Sequence, residues 1–162
     1  MPNDASLVSV LVVCMGNICR SPMAEVVISS LALQHPGIVI AVESAGTHAH
    51  HTGHAADPRT QAALLNRGYP QCNTTAKPVI DEHFERFDII LAMDRVNLQH
   101  LMRRCPPAQR HKLKLLLAFA PGTGRDEVPD PYYGSPRGFE LALDLCEAGA
   151  RGLLAELHAR QS

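Results

Sequence analysis

The chain predicts an α/β fold in three layers: a four-stranded parallel sheet with helices on both faces and an anion-binding loop after the first strand. Short runs that are apolar throughout alternate with longer segments of helical periodicity, as when crossover helices cover both faces of a parallel sheet. Ser21-Pro22, Asp57-Pro58 and Asp94 punctuate the pattern as helix starts. The 162 residues, 46% of them hydrophobic, suffice for one core, and no linker, repeat or low-complexity segment divides them. A single domain over residues 1–162 is expected.

The first strand is the β-branched run Val10-Leu11-Val12-Val13, ending at Cys14. After a short loop, Ser21 and Pro22 read as N-cap and first helical residue, and Met23, Val27, Ile28 and Leu31 mark the buried face of a helix reaching Gln34. His35-Pro36-Gly37 stops it. Ile38 to Val42 is the second strand, continued into a loop by Glu43-Ser44-Ala45-Gly46-Thr47. Asp57 caps a helix that ends at Arg67-Gly68, residues 69–77 read as irregular, and residues 81–86 as a short helix. Phe87 to Ala92 is the third strand, followed by a helix capped by Asp94 and terminated by Cys105-Pro106-Pro107. Leu113 to Phe119 reads as the fourth strand. A Gly/Pro-rich loop then leads to a last helix with Phe139, Leu143, Cys146, Ala150, Leu153, Leu154 and Leu157 at helical spacing. Ligands of such sheets bind beyond the carboxyl ends of the strands, which should gather Ser44, Asp94 and Asp130 around the Cys14 loop.

Composition narrows the partners. A net charge of −1 offers no electrostatic case for nucleic acid or an acidic membrane surface. No apolar run approaches membrane-spanning length, and residues 1–6 lack the basic start of a signal peptide. Five scattered cysteines, an odd number, argue against a disulfide framework and place the protein in a reducing cytoplasm.

The chemistry concentrates in Cys14-Met15-Gly16-Asn17-Ile18-Cys19-Arg20-Ser21. A strand, a tight loop and a helix N-terminus aim backbone N–H groups and the helix dipole at one point, where an oxyanion binds and a thiolate is favoured over a thiol. The loop amides, the Ser21 hydroxyl and the dipole are the expected stabilisers of Cys14. Arg20 offers a planar fork for two phosphate oxygens. Gly16 and Asn17 suit a loop that needs positive φ. Expulsion of an aryl oxide also needs a proton donor. Asp130, held between prolines in Pro129-Asp130-Pro131-Tyr132-Tyr133-Gly134, is one candidate; an ordinary Asp-Pro turn accounts for the same residues.

Residues 13–25, Glu43-Ser44-Ala45-Gly46-Thr47, Ala56-Asp57-Pro58-Arg59, Ala92-Met93-Asp94 and Asp130-Pro131-Tyr132-Tyr133-Gly134 resemble, in order, the low-molecular-weight protein tyrosine phosphatases. The resemblance implies a cofactor-free, metal-free enzyme with Cys14 as nucleophile, Arg20 and the phosphate-binding loop (Met15, Gly16, Asn17, Ile18, Cys19, Ser21) holding phosphate, and Asp130 as general acid. It also implies that Ser21 stabilises the thiolate and that Ser44 hydrogen-bonds Asn17. Cys19 would trap oxidised Cys14 as a reversible disulfide. Phosphotyrosine proteins are the implied substrates, with a cognate tyrosine kinase as a further partner.

The chain departs from the family in three places. Cys72-Asn73-Thr74-Thr75-Ala76-Lys77 stands where relatives carry histidine and arginine, so Asn73 is expected to support Asn17 instead. His50 occupies the place of a rim aromatic, leaving Tyr132 and Tyr133 as the pocket wall, and Glu43 replaces an aspartate. Tyr132 and Tyr133 also resemble regulatory phosphorylation positions, against the plainer reading that they line the pocket. His48, His50, His51 and His54 lack the cysteine or carboxylate partners of a zinc site and read as a solvated rim. Ile18 favours aryl phosphate over phosphoarginine. Two alternatives stand: a thiol-dependent arsenate reductase of the same fold, for which Cys72 and Cys105 are badly spaced, and a non-catalytic phosphoprotein-binding module.

Overall fold

The computed structural model describes residues 7–161; the expectation about a leader concerns residues 1–6, which lie outside them. Strand β1 (Leu7–Cys14) occupies the middle of a wholly parallel sheet. It pairs with β2 (Val39–Gly46) on one side and β3 (Ile89–Ala92) on the other, and β4 (Leu113–Leu115) completes the order β2-β1-β3-β4. Alternation along β1 divides the core. Val10, Val12 and Cys14 face α1 (Arg20–Ala32) and α5 (Pro136–Arg160), with α2 (Pro58–Asn66) on the same side. Leu11 and Val13 face the other layer, where α3 (Asp81–Arg86) and α4 (Arg95–Arg104) supply Phe84 and Leu101.

The expected strands and helices are all present, with shifted ends. Helix α1 begins at Arg20, with Cys19 rather than Ser21 at its cap position and no side-chain cap. The Ser21 hydroxyl is unavailable for capping because it is turned to Cys14. Asp57 and Asp94 do cap α2 and α4, accepting from the N–H groups of Arg59 and Asn97 at 2.8 Å. The fourth strand is shorter than its apolar run: Leu116–Phe119 form a 3₁₀ turn. Leu116 and Leu117 are both buried on the α5 side, and a strand would send one of them to the opposite face. The first half of β2 is an edge, so Val39 and Ala41 are exposed despite the continuous apolar pattern.

The last helix buries the seven residues expected of it. At Gly152 it lies so close to the turn after β4 that an added Cβ would fall 1.8 Å from the Phe119 carbonyl oxygen. In an open helix, Gly→Ala stabilises by up to about 1 kcal/mol. Here Gly152→Ala is expected to destabilise by about 3 kcal/mol, the upper end for overpacking, and to lower Tm by roughly 6–12 °C. A calorimetric Tm at or above the wild-type value would contradict this packing.

His83, buried in α3, accepts the N–H of Ile80 on Nδ1 at 3.1 Å. Burial, and then the charges of Lys77 and Arg86, hold its pKa below the ordinary imidazole value. The folded chain therefore binds fewer protons than the unfolded chain once pH falls below about 6.5. The stability contributed by neutral His83 is present above that pH and drains away below it. Urea midpoints should fall on acidification from pH 7, and less steeply in His83→Gln. Parallel pH curves for the two proteins would assign the acid loss to other groups.

Candidate active site

The loop between β1 and α1 forms a cup at the carboxyl edge of the sheet. Cys14 lies at its floor, with the N–H of Asn17 donating to its Sγ at 3.3 Å and the Ser21 hydroxyl 3.0 Å away. Asn17 has φ 58°, a left-handed conformation that asparagine tolerates better than most residues. Two bonds hold it there: its Nδ2 donates to Ser21 Oγ at 2.8 Å, and its Oδ1 accepts the N–H of Lys77 at 3.0 Å. Since Ser21 Oγ accepts from Asn17, its own proton is left for the sulfur at 3.0 Å or for the Ala45 carbonyl at 3.5 Å.

Gly16 serves the loop differently from the expectation, for it does not have positive φ. Its missing Cβ leaves room for His51, whose ring carbon would lie 2.9 Å from such an atom. Gly46 is required by the same crowding, since a Cβ there would meet the Met15 carbonyl at 2.7 Å.

Arg20 is almost wholly buried. Its Nη1 donates to Asp94 Oδ2 at 2.6 Å and to the Val128 carbonyl at 3.0 Å, which turns the guanidinium edge toward the cup. Burial alone would lower its pKa; Cys14, Asp94 and Asp130 outweigh burial and raise it, so the charge is permanent. Asp130 comes from the long loop after β4, with Oδ2 3.6 Å from Arg20 Nη2 and Oδ1 accepting the N–H of Tyr132 at 3.1 Å. Cys14, Met15, Gly16, Ile18, Cys19, Arg20, His50, Asp130, Tyr132 and Tyr133 thus line one cavity of about 400 Å³. It holds a fixed cation, a sulfur at an anion-binding floor and a carboxyl at the mouth.

A sequence model described as low molecular weight phosphotyrosine protein phosphatase matches residues 9–162. The chain belongs to that family. The phosphatase is 42% identical over 151 residues to the low molecular weight protein-tyrosine-phosphatase of Streptomyces coelicolor, an alignment covering 88% of this chain and 89% of the relative. It is 36% identical over 153 residues to the human low molecular weight phosphotyrosine protein phosphatase, covering 93% and 96% of the two chains. A crystal structure of protein tyrosine phosphatase from Entamoeba histolytica, with Hepes in the active site, superposes with a TM-score of 0.91 at 36% identity, covering 96% and 99%.

Two residues expected to support the loop of this phosphatase do not. Ser44 does not bond Asn17: its hydroxyl donates to Glu25 Oε1 at 2.5 Å. Glu25 is buried in α1, where burial raises its pKa against the opposing bonds from Ser44 and Thr74, and the nearest hydroxyl is drawn to it. Asn73 is exposed and makes no bond to Asn17; the main-chain N–H of Lys77 takes that place. A backbone donor leaves no mark in residue type, so sequence reading could not find it.

Other contributors were missed for related reasons. His51 lines the cavity beside Tyr132, with ring centroids 6.3 Å apart, alongside the expected His50. Arg59 of α2 reaches the Asp130 loop, and only its place beside Asp57 and Pro58 pointed to it. The histidines at 48, 50, 51 and 54 pack ring against ring. Among the described residues, no group of three or more histidine, cysteine, aspartate or glutamate side chains is arranged to hold a metal ion.

Proposed function

We propose that the phosphatase hydrolyses aryl phosphate esters of phosphotyrosine proteins through a phosphocysteine on Cys14. The observation that carries this reading is the approach of Asp130 to Arg20, 3.6 Å apart at the mouth of the cup that holds the Cys14 sulfur. The loop amides and Arg20 bind the phosphate dianion, with its phosphorus above the sulfur. The Cys14 thiolate attacks phosphorus as the P–O bond to the ring breaks, and protonated Asp130 gives its proton to the departing oxygen. Asp130, now a carboxylate, takes a proton from water as that water attacks phosphorus, and the P–S bond breaks to release inorganic phosphate. Arg20 stabilises the charge spread over the equatorial oxygens in both steps. Free of substrate, Asp130 pairs with Arg20; an arriving dianion takes over that fork.

Ile18 and Tyr132 supply apolar walls for a phenol ring, while the nearly fully exposed Tyr133 packs edge-on against Tyr132. Cys19 lies beside Cys14 in the same cavity, consistent with a reversible Cys14–Cys19 disulfide. The single-domain reading, residence in a reducing cytoplasm and a cognate tyrosine kinase acting on Tyr132 or Tyr133 belong to the same proposal. Free thiols at Cys14, Cys19, Cys72, Cys105 and Cys146 support the compartment. Among the described residues no helix is long and apolar enough to cross a membrane. Arsenate reduction is disfavoured because Cys72 and Cys105 belong to cores on opposite faces of the sheet.

The test is turnover of phenyl phosphate and of a phosphotyrosine peptide, with acid-quench trapping of phosphate on Cys14 and phosphoarginine as counter-substrate. Trapped phosphoenzyme with aryl selectivity supports the reading. Binding without turnover would make the protein a phosphoprotein-binding module, and arsenate reduction with thiols would make it a reductase.

A further inference from the structure

Arg59 lies outside the cavity, yet a continuous hydrogen-bonded path runs through it from the phosphate loop to Asp130. The N–H of Asp57 donates to the Ile18 carbonyl at 2.8 Å, fixing Asp57 to the loop. Arg59 grips the Asp57 carboxylate with its main-chain N–H at 2.8 Å, Nε at 3.0 Å and Nη2 at 2.9 Å. Its remaining arm, Nη1, donates to the Tyr132 carbonyl at 2.9 Å. The N–H of the same Tyr132 donates to Asp130. The guanidinium also lies over two rings, 5.3 Å from the centroid of Tyr132 and 4.7 Å from that of Phe139.

Among the described residues, the loop it grips has few polar ties to other elements. Val128 is tied down on one side, its N–H donating to the Met93 carbonyl at 2.8 Å, and α5 begins at Pro136 on the other. Between them, among the described residues, side chains of other elements reach residues 129–135 through two polar links, Asp130 to Arg20 and Tyr132 to Arg59, while the Ser135 carbonyl accepts the N–H of Gly138 in α5 and Tyr132 packs against the core. The first must loosen when phosphate takes the Arg20 fork. The second does not depend on substrate. Arg59 donates to a buried carboxylate, and its side-chain bonds keep the Asp57 carboxyl below its ordinary pKa and charged, so the pairing is charge-assisted.

We propose that Arg59 is a positioning residue: through the Tyr132 carbonyl it holds the Asp130 loop at a fixed distance from the phosphate cup, and so sets the proton donor over the leaving oxygen. This rests on the phosphatase reading above. Loss of Arg59 should therefore cost most where the leaving oxygen most needs a proton. A nitrophenolate departs with little help, whereas a phenolate needs the acid.

In Arg59→Ala, kcat/KM for phenyl phosphate should fall about 10- to 30-fold, a part of the roughly 100- to 10,000-fold that a placed general acid supplies. For 4-nitrophenyl phosphate it should fall less than about threefold, with competitive inhibition by inorganic phosphate unchanged, since the cup is intact. In an Asp130→Ala background the same substitution should change phenyl phosphate turnover less than about twofold, because the two residues act as one unit. Arg59→Gln, which keeps most of the aliphatic stem and loses the fork, gives the same readings should the alanine variant fold poorly. Equal losses for both substrates, or equal losses with and without Asp130, would reduce Arg59 to a structural brace and overturn the proposal. Absence of wild-type turnover, or turnover surviving Cys14→Ser, would instead overturn the phosphatase reading itself, so the two failures are told apart.

Discussion

Cys14→Ser should lower aryl phosphate turnover by at least about 10⁴-fold, equivalent to roughly 5.5 kcal/mol of lost transition-state stabilisation. Among the described residues, the hydrogen-bond neighbours of the sulfur are the Ser21 hydroxyl and the Asn17 N–H, neither of which is a base that could activate a hydroxyl in its place. Binding of inorganic phosphate should survive, because Arg20 and the loop amides are untouched. Chemical labelling offers a second check. Cys19 shares the cavity, but burial, then the charges of Asp57, Cys14 and Asp130, push its thiol up to about 12. Iodoacetate near neutral pH should therefore alkylate Cys14 and leave Cys19 free, with phosphate protecting. Label arriving first on Cys19, or turnover persisting in the serine variant, would remove Cys14 from the centre of the chemistry.

Asp130→Ala is the second large effect, a loss of about 100- to 10,000-fold in kcat/KM for phenyl phosphate. Leaving-group dependence should steepen, since the ring oxygen must now depart as phenolate. An unchanged leaving-group dependence would reassign the donor, and the other carboxylate within reach of Arg20, Asp94, would be the one to test.

How far the site was legible from residues alone depends on which atoms do the work. Cys14, Arg20 and Ser21 are side-chain chemistry at fixed spacing on a strand, loop and helix start, and they meet as expected. Asp130 is not legible in the same way, because an Asp-Pro turn looks the same in sequence whether or not it faces a cup. Ser44 and Asn73 failed for opposite reasons. Ser44 has a stronger competitor in the buried Glu25, invisible until α1 and β2 are packed side by side. Asn73 was displaced by a main-chain N–H at Lys77, which any residue but proline could have supplied. The fourth strand is shorter than its apolar run because a run of leucines fits a strand and a 3₁₀ turn equally well; only the common core of Leu116 and Leu117 decides between them.

Local sequence therefore determined the alternation of strands and helices, the caps at Asp57 and Asp94, and the unit of Cys14, loop and Arg20, all of which depend on neighbours a few positions apart. Tertiary packing decided the rest: the Asp94 brace on Arg20, the approach of Asp130, the tie through Arg59 and the partners of Asn17. Asn17–Lys77, Arg59–Tyr132, Arg20–Asp94 and Arg20–Asp130 lie 60 to 110 positions apart, and in this fold they meet only because a parallel sheet gathers the carboxyl ends of its strands at one edge.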